Sequence, residues 1–231
     1  MSETNQIQPS AAGNSGKMLR AMVGIGILCA LMIVLTFQGT LPIIKQKKAE
    51  ALEKAIFKVL PGIEKTEIFQ LGESNNFAPV NGEGEEGRVV YAGYDENGRF
   101  VGVAVEASGQ GYADILRILY GYDPEKQAVV GFYVLESKET PGLGDKIEKD
   151  AGFLSNFEAL DVTLKEDQSG LRNAVVPVKS GTKKHPWEVD CITGATISSR
   201  AIGNIIGAST ERWAPLLYKN KDTFAKQEGE N

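Results

Sequence analysis

Asp190-Cys191-Ile192-Thr193-Gly194-Ala195-Thr196-Ile197-Ser198-Ser199-Arg200 joins two kinds of pattern. Residues 187–191 read as a short β-type segment. Residues 197 to about 213 carry the three- and four-residue apolar spacing of an amphipathic helix, with Pro215 marking its expected end. Gly194 and Ala195 therefore stand at a strand-to-helix corner, and Thr196 is held just before a helix N-terminus. Unpaired backbone N–H groups and the positive end of the helix dipole favour a phosphate there, and the small residues leave the backbone open to it. Ser198 and Ser199 can cap the helix or donate to phosphate oxygens. The plain alternative is an ordinary Ser/Thr-capped helix, and residue types alone leave both readings open.

The helix needs a surface to cover. Ile197, Ala201, Ile202, Ile205, Ile206 and Ala208 form an apolar face expected to pack on a sheet. Upstream, residues 89–94 and 100–106 flank Asp95-Glu96-Asn97-Gly98, and residues 115–122 and 129–135 flank Asp123-Pro124-Glu125-Lys126, which predicts two hairpins. Residues 71–87 are rich in Gly, Asn and Glu without periodicity and read as a loop. Residues 145–157 read as a helix and residues 162–165 as a strand. The fold class is α+β, an antiparallel sheet with flanking helices, and no internal repeat is visible.

One apolar segment lies outside this pattern. From Ala21 to Ile44 no side chain is charged, and as a helix that run is roughly 36 Å long, enough for a hydrocarbon core of about 30 Å. It reads as a single transmembrane helix over residues 21–44. A cleaved signal peptide is the rival, because Lys17 and Arg20 resemble a basic leader, but the run is long for one and no small-x-small site follows it. Residues 1–20 are expected to be a disordered tail, since the first 16 are mostly Ser, Asn, Gln, Gly and Ala. Residues 45–62 continue a helical pattern (Ala49, Leu52, Ile56, Leu60) up to Pro61-Gly62, a juxtamembrane helix lifting the domain off the bilayer. The domain itself is expected over residues 63–218, followed by a polar tail over 219–231.

Composition sets further bounds. The 231 residues have 25 basic and 30 acidic side chains, and no basic patch interleaved with aromatics of the kind nucleic acid requires. The two cysteines, Cys29 in the apolar run and Cys191 beside the corner, build neither a disulfide framework nor a thiolate metal cluster. Cys191 is expected to be a small buried residue. The single histidine, His185, sits in a basic surface loop, so a hydrolase using Ser198 or Thr196 as nucleophile lacks a base.

Asp190-x-x-Thr193-Gly194-Ala195-Thr196 followed by Ser198-Ser199 resembles the flavin-attachment motif of the FMN-binding domain family, in which the last threonine carries FMN through a phosphoester. The resemblance implies covalent FMN on Thr196, with Thr193, Gly194, Ala195, Ser198 and Ser199 around it. It also implies that Asp190 helps a metal-assisted transfer performed by a separate flavin transferase. The plain reading of Asp190 as a solvated strand end stands beside it. Glu139-Thr140-Pro141-Gly142-Leu143-Gly144-Asp145-Lys146-Ile147 and Gly109-Gln110-Gly111-Tyr112 are similar to segments of the G subunit of the Rnf electron-transport complex. From the residues, 139–144 is a tight loop that a flat ligand can approach, or simply a structural turn. By resemblance Thr140 and Leu143 line the isoalloxazine, with Gly144 in the same loop, and Glu139 holds the loop or reaches a polar ring edge. Tyr112 stacks on the ring or packs in the core.

The function implied is a membrane-anchored covalent flavoprotein subunit relaying electrons in an ion-translocating ferredoxin:NAD oxidoreductase complex. Its partners would be the other Rnf-type subunits, a flavin transferase and the bilayer; no metal site and no complete active site of its own is implied. The alternatives are the C subunit of a sodium-translocating NADH:quinone reductase and a tethered binding module without redox activity. The resemblance places the domain on the outer, periplasm-equivalent face of the cytoplasmic membrane. Lys45, Lys47 and Lys48 after the span, against Lys17 and Arg20 before it, lean slightly the other way.

Overall fold

The computed structural model describes residues 15–80, 82, 84, 85 and 87–225. The tail expected over residues 1–20 lies outside the described residues as far as residue 14, and so does the 219–231 tail beyond residue 225. The chain divides into two compact units, Met1–Glu50 and Ala51–Asn231.

Helix α1 runs Ser15–Val59. Through its apolar part the large side chains from Met18 to Ile44, apart from half-buried Leu41, are exposed, and no described residue of the first unit covers them. The only hydroxyls of that stretch are bonded inside the helix: Thr36 Oγ1 donates to Met32 O at 2.7 Å and Thr40 Oγ1 to Thr36 O at 2.9 Å. A helix that satisfies its polar groups internally while exposing a continuous apolar surface suits a lipid environment.

The second unit is built on seven strands: β1 Lys65–Leu71, β2 Phe77–Pro79, β3 Val89–Tyr94, β4 Phe100–Gln110, β5 Ile115–Asp123, β6 Ala128–Glu136 and β7 Leu160–Asp161. They lie in the order β2-β1-β3-β4-β5-β6-β7, every neighbouring pair antiparallel. The two expected hairpins are present, and aspartate makes both turns. Asp95 Oδ1 accepts from the amides of Asn97 and Arg99, and Asp123 Oδ1 from those of Glu125 and Lys126. Further on come the short helix α2 Ala151–Leu154, strands β8 Val176–Val178 and β9 Glu188–Asp190, helix α3 Thr196–Lys219 and helix α4 Lys221–Ala225. β8 and β9 pair in parallel.

Alternation along the strands supplies two apolar faces. Val90, Ala92, Val103, Val105, Ile118 and Tyr120 point into the main core with Ile202, Ile205, Ile206 and Trp213 of α3. Ala104 and Leu119 point the other way, onto Ala55, Ile56 and Val59 at the C-terminal end of α1 and Leu60 just after it. That second contact depends on paired glycines. Gly121 and Gly131 are register partners, and a Cβ on either would collide with the Val59 carbonyl. The segment expected to be a spacer thus ends as a packed part of the domain.

Other expectations are corrected. Residues 71–87 are not all loop: β2 lies within them, and Phe77 is buried against Trp213 and Phe224. The helix expected over residues 145–157 is broken into a 3-10 turn Gly144–Glu148, α2 and a second 3-10 turn Ser155–Phe157. The break is at Asp150, whose extended backbone ends one turn while its carboxylate caps the next by accepting from Phe153 N at 2.8 Å. In place of a strand over 162–165, Leu164 makes a single bridge with Leu171. Pro215 does not end α3. The helix continues to Lys219 because Ala214, Pro215 and Leu217 are all buried, and core packing there outweighs one missing N–H bond. Ile197 and Ala208, expected on the packed face, are exposed. The 219–231 segment is not uniformly a polar tail, since Phe224 of α4 is buried against Phe69, Phe77 and Phe100, and Tyr94 OH donates to its carbonyl at 3.0 Å.

The glycine seam generates a test. Gly131→Ala in the full-length protein should lower the free energy of unfolding by about 1–3 kcal/mol, the usual cost of overpacking a filled core. An unchanged denaturation midpoint would show that α1 does not lie this close to β6.

Candidate functional site

Three connections converge on one buried carboxylate. The first is the β4–β5 turn, closed by Gly111 N donating to Asp114 O at 2.9 Å. The second is the loop from β6 to the 3-10 turn that begins at Gly144. The third is the corner between β9 and α3. Glu139, in the second, is buried. Its Oε1 accepts from the amides of Tyr112 at 2.8 Å and Ala113 at 3.1 Å, and its Oε2 accepts from Ser198 Oγ at 2.6 Å. Two glycines make room for it: a Cβ on Gly111 would collide with Oε1 and one on Gly144 with Oε2. An ionised carboxylate removed from water is tolerated when its lone pairs are met by donors. Here three donors come from two segments distant in sequence.

The corner is braced from inside. Ser199 Oγ accepts from Ile192 N at 3.1 Å and donates to Ala195 O at 2.8 Å. Ile192 O in turn accepts from Ala195 N at 3.1 Å and from Thr196 Oγ1 at 3.3 Å. Gly194 has φ +83, the left-handed region in which a side chain is strained. Ser198 and Ser199, expected as helix caps or phosphate donors, are both buried and committed to these bonds. No side chain caps α3 at Ala195. Among the described residues, the amides of Thr196, Ile197 and Ser198 meet no acceptor. Three of the free donors at the corner are therefore backbone groups, as a helix N-terminus provides.

Around this corner the chain presents its surface. Thr193, Gly194 and Thr196 are exposed, and so is Thr140. Each of the three converging segments contributes one large exposed apolar side chain: Tyr112 is 64% exposed, Leu143 54% and Ile197 58%. Tyr112 therefore does not pack in the core. Clamping is added by an ion pair between Lys138 and Asp114, which holds the Asp114 carboxyl below its usual range mainly through the Lys138 hydrogen bond.

Asp190 serves the scaffold. Its carboxylate accepts from Gly181 N at 2.9 Å and Thr182 N at 3.3 Å, closing the turn after β8. Its backbone is held by Asn156, which accepts from Asp190 N at 3.0 Å and donates to Asp190 O at 3.2 Å. Asn156 also accepts from Lys183 Nζ at 3.0 Å. Sequence reasoning passed over Asn156, because a lone asparagine in a segment of helical pattern carries no signal of its partners. Cys191 is buried, and burial pushes its thiol pKa up. His185 stacks on Trp187 with ring centroids 4.5 Å apart.

Comparison with known proteins adds to this geometry. Residues 111–210 match the family model of the FMN-binding domain, a window that begins at the glycine against Glu139 and includes all three converging segments. The G subunit of the ion-translocating oxidoreductase complex of Methanosarcina acetivorans is 28% identical over 200 residues, covering 84% of this chain and 92% of that protein. The G subunit of the Na(+)-translocating ferredoxin:NAD(+) oxidoreductase complex of Acetobacterium woodii is 29% identical over 199 residues, covering 85% and 87%. Among solved structures, NqrC of Shewanella oneidensis superposes with a TM-score of 0.54 at 16% identity, covering 79% of this chain and 98% of that one. The C subunit of the Na(+)-translocating NADH-quinone reductase of Parabacteroides distasonis gives 0.55 at 20% identity, covering 80% and 96%. At those identities the structures speak to the fold alone. Through residues 111–210, the chain is similar to the FMN-binding domain family.

Proposed function

We propose that this protein is a membrane-anchored flavoprotein subunit of an Rnf-type ion-translocating ferredoxin:NAD oxidoreductase complex, carrying FMN as a phosphoester on Thr196. The single observation that carries the attachment is the state of the corner. Thr196 is exposed at the first position of a 24-residue helix, behind a glycine at φ +83 and beside three backbone amides without an acceptor. A phosphate on the Thr196 hydroxyl would meet those amides and the positive end of the helix dipole, worth roughly half an elementary charge. The residues present fit the group. The exposed side chains of Tyr112, Leu143 and Ile197 offer apolar surface for a flat ring, and Glu139 holds their three segments in place.

Bound flavin supplies electron transfer, singly or in pairs, and the protein supplies position and electrostatics. Thr193, Gly194 and Ala195 leave the backbone open at the phosphate end, while Thr140, Leu143 and Gly144 border the loop side. Ser198 and Ser199 act by bracing rather than by donating to phosphate. Asp190 orders the turn preceding its strand, and Glu139 takes the loop-holding role. A flavin transferase would install the FMN, and the other subunits of the complex and the bilayer would be the partners. The relatives similar in sequence over most of this chain are named as G subunits, which favours that complex over the NADH:quinone reductase. Lys45 onward is assigned to the outer side of the membrane, where long domains translocate largely regardless of local charge.

Two measurements test the reading. Expressed with its flavin transferase, the protein should show flavin fluorescence that survives denaturing electrophoresis. Thr196→Ala should abolish it and Thr193→Ala should only weaken it; covalent flavin persisting in Thr196→Ala sinks the assignment. Protease added to intact spheroplasts should digest the domain, and cleavage only after lysis would reverse the proposed orientation.

A further inference from the structure

We propose that Lys146 is the side-chain counter-ion of the phosphate on Thr196, an assignment that rests on the reading above. Lys146 lies in the 3-10 turn Gly144–Glu148, which is anchored by buried Ile147. A methyl group placed on Gly194 would lie 3.7 Å from Lys146 Nζ, so the ammonium stands against the backbone of the corner, two residues from Thr196. Its neighbours do not claim it. Asp145, the adjacent carboxylate, pairs with Lys149 at 2.8 Å. Glu139 is enclosed by its three donors, and Asp190 is engaged by the amides of Gly181 and Thr182. Among the described residues Lys146 makes no ion pair or side-chain hydrogen bond.

The chemistry of a threonine phosphodiester asks for such a group. It carries a full negative charge, whereas the helix end offers only a partial positive one. A lysine, a compact charge on a flexible stem, can reach a phosphate from the side without imposing a fixed geometry. The 3-10 turn also holds Gly144 against Ser198 Oγ and Glu139, so the packing that fixes the loop fixes the base of the Lys146 stem. Arg200, one turn along α3 from Thr196 and exposed, is the rival cation.

The test has two arms, both on the full-length chain in detergent. In the first, flavin-free protein is titrated with inorganic phosphate and the amide resonances of residues 194–198 are followed. Lys146→Gln should weaken phosphate binding about two- to fivefold, the scale of one partly exposed charge pair, Lys146→Arg should restore most of it, and Arg200→Gln should leave it unchanged. In the second, the phosphorus resonance of protein labelled by the flavin transferase is compared between the parent and Lys146→Gln, and should move. Equal phosphate affinity in Lys146→Gln, an effect seen only in Arg200→Gln, or a labelled Thr196 whose phosphorus signal ignores Lys146 each overturns the inference. Lys146-dependent phosphate binding without any labelling of Thr196 would instead retire the flavin reading and keep Lys146 as an anion-binding residue.

Discussion

A carboxylate taken out of water must be met by donors or it destabilises whatever contains it, and Glu139 satisfies that demand with groups from two other parts of the chain. The amides of Tyr112 and Ala113 belong to the β4–β5 turn, and the Ser198 hydroxyl belongs to the first turn of α3. Gly111 and Gly144 exist as glycines because a Cβ at either would occupy the place of a Glu139 oxygen. Hydrogen bonds to a charged group contribute about 1.5–3 kcal/mol each, so each loop is held more firmly than its own short length allows. One interaction explains why residues far apart in sequence belong to one site.

The scaffold behind that site is covered on both sides. Helix α3 packs on one face of the sheet through Ile202, Ile205 and Ile206, which fixes the direction in which its first turn points. The last turns of α1 occupy the other face, close enough that Gly121 and Gly131 meet the Val59 carbonyl. A sheet sandwiched in this way has little freedom to shift its strand ends. The β4–β5 turn and the loop after β6, which grow from such ends, inherit that rigidity.

Much of this was legible in the sequence. The hairpins announced themselves through Asp95 and Asp123 at the turns, the long N-terminal helix through a charge-free apolar run, and the corner through Gly194 before a periodic apolar stretch. What was hidden depends on partners that sequence does not pair. Lys65–Leu71 has weak alternation and becomes a strand because β3 lies beside it. Pro215 and Phe224 are local stop or tail signals overridden by burial. Ser198 and Ser199 look like caps or phosphate donors until Glu139 and Ile192 are placed against them, and Asp190 resembles a functional carboxylate until the 181–182 turn closes on it. Local chemistry was readable; the question of which groups were already occupied was not.

If Glu139 couples the three segments, amide hydrogen exchange on Glu139→Gln will register the loss at all of them. Glutamine keeps the size but offers one acceptor oxygen where three donors need two. Protection should fall together at Tyr112 and Ala113, through the loop before Gly144, and in the corner and first turn of α3, while strands β3 to β6 keep theirs. A loss confined to Tyr112 and Ala113, or no loss at all, would show that Glu139 does not couple the three segments.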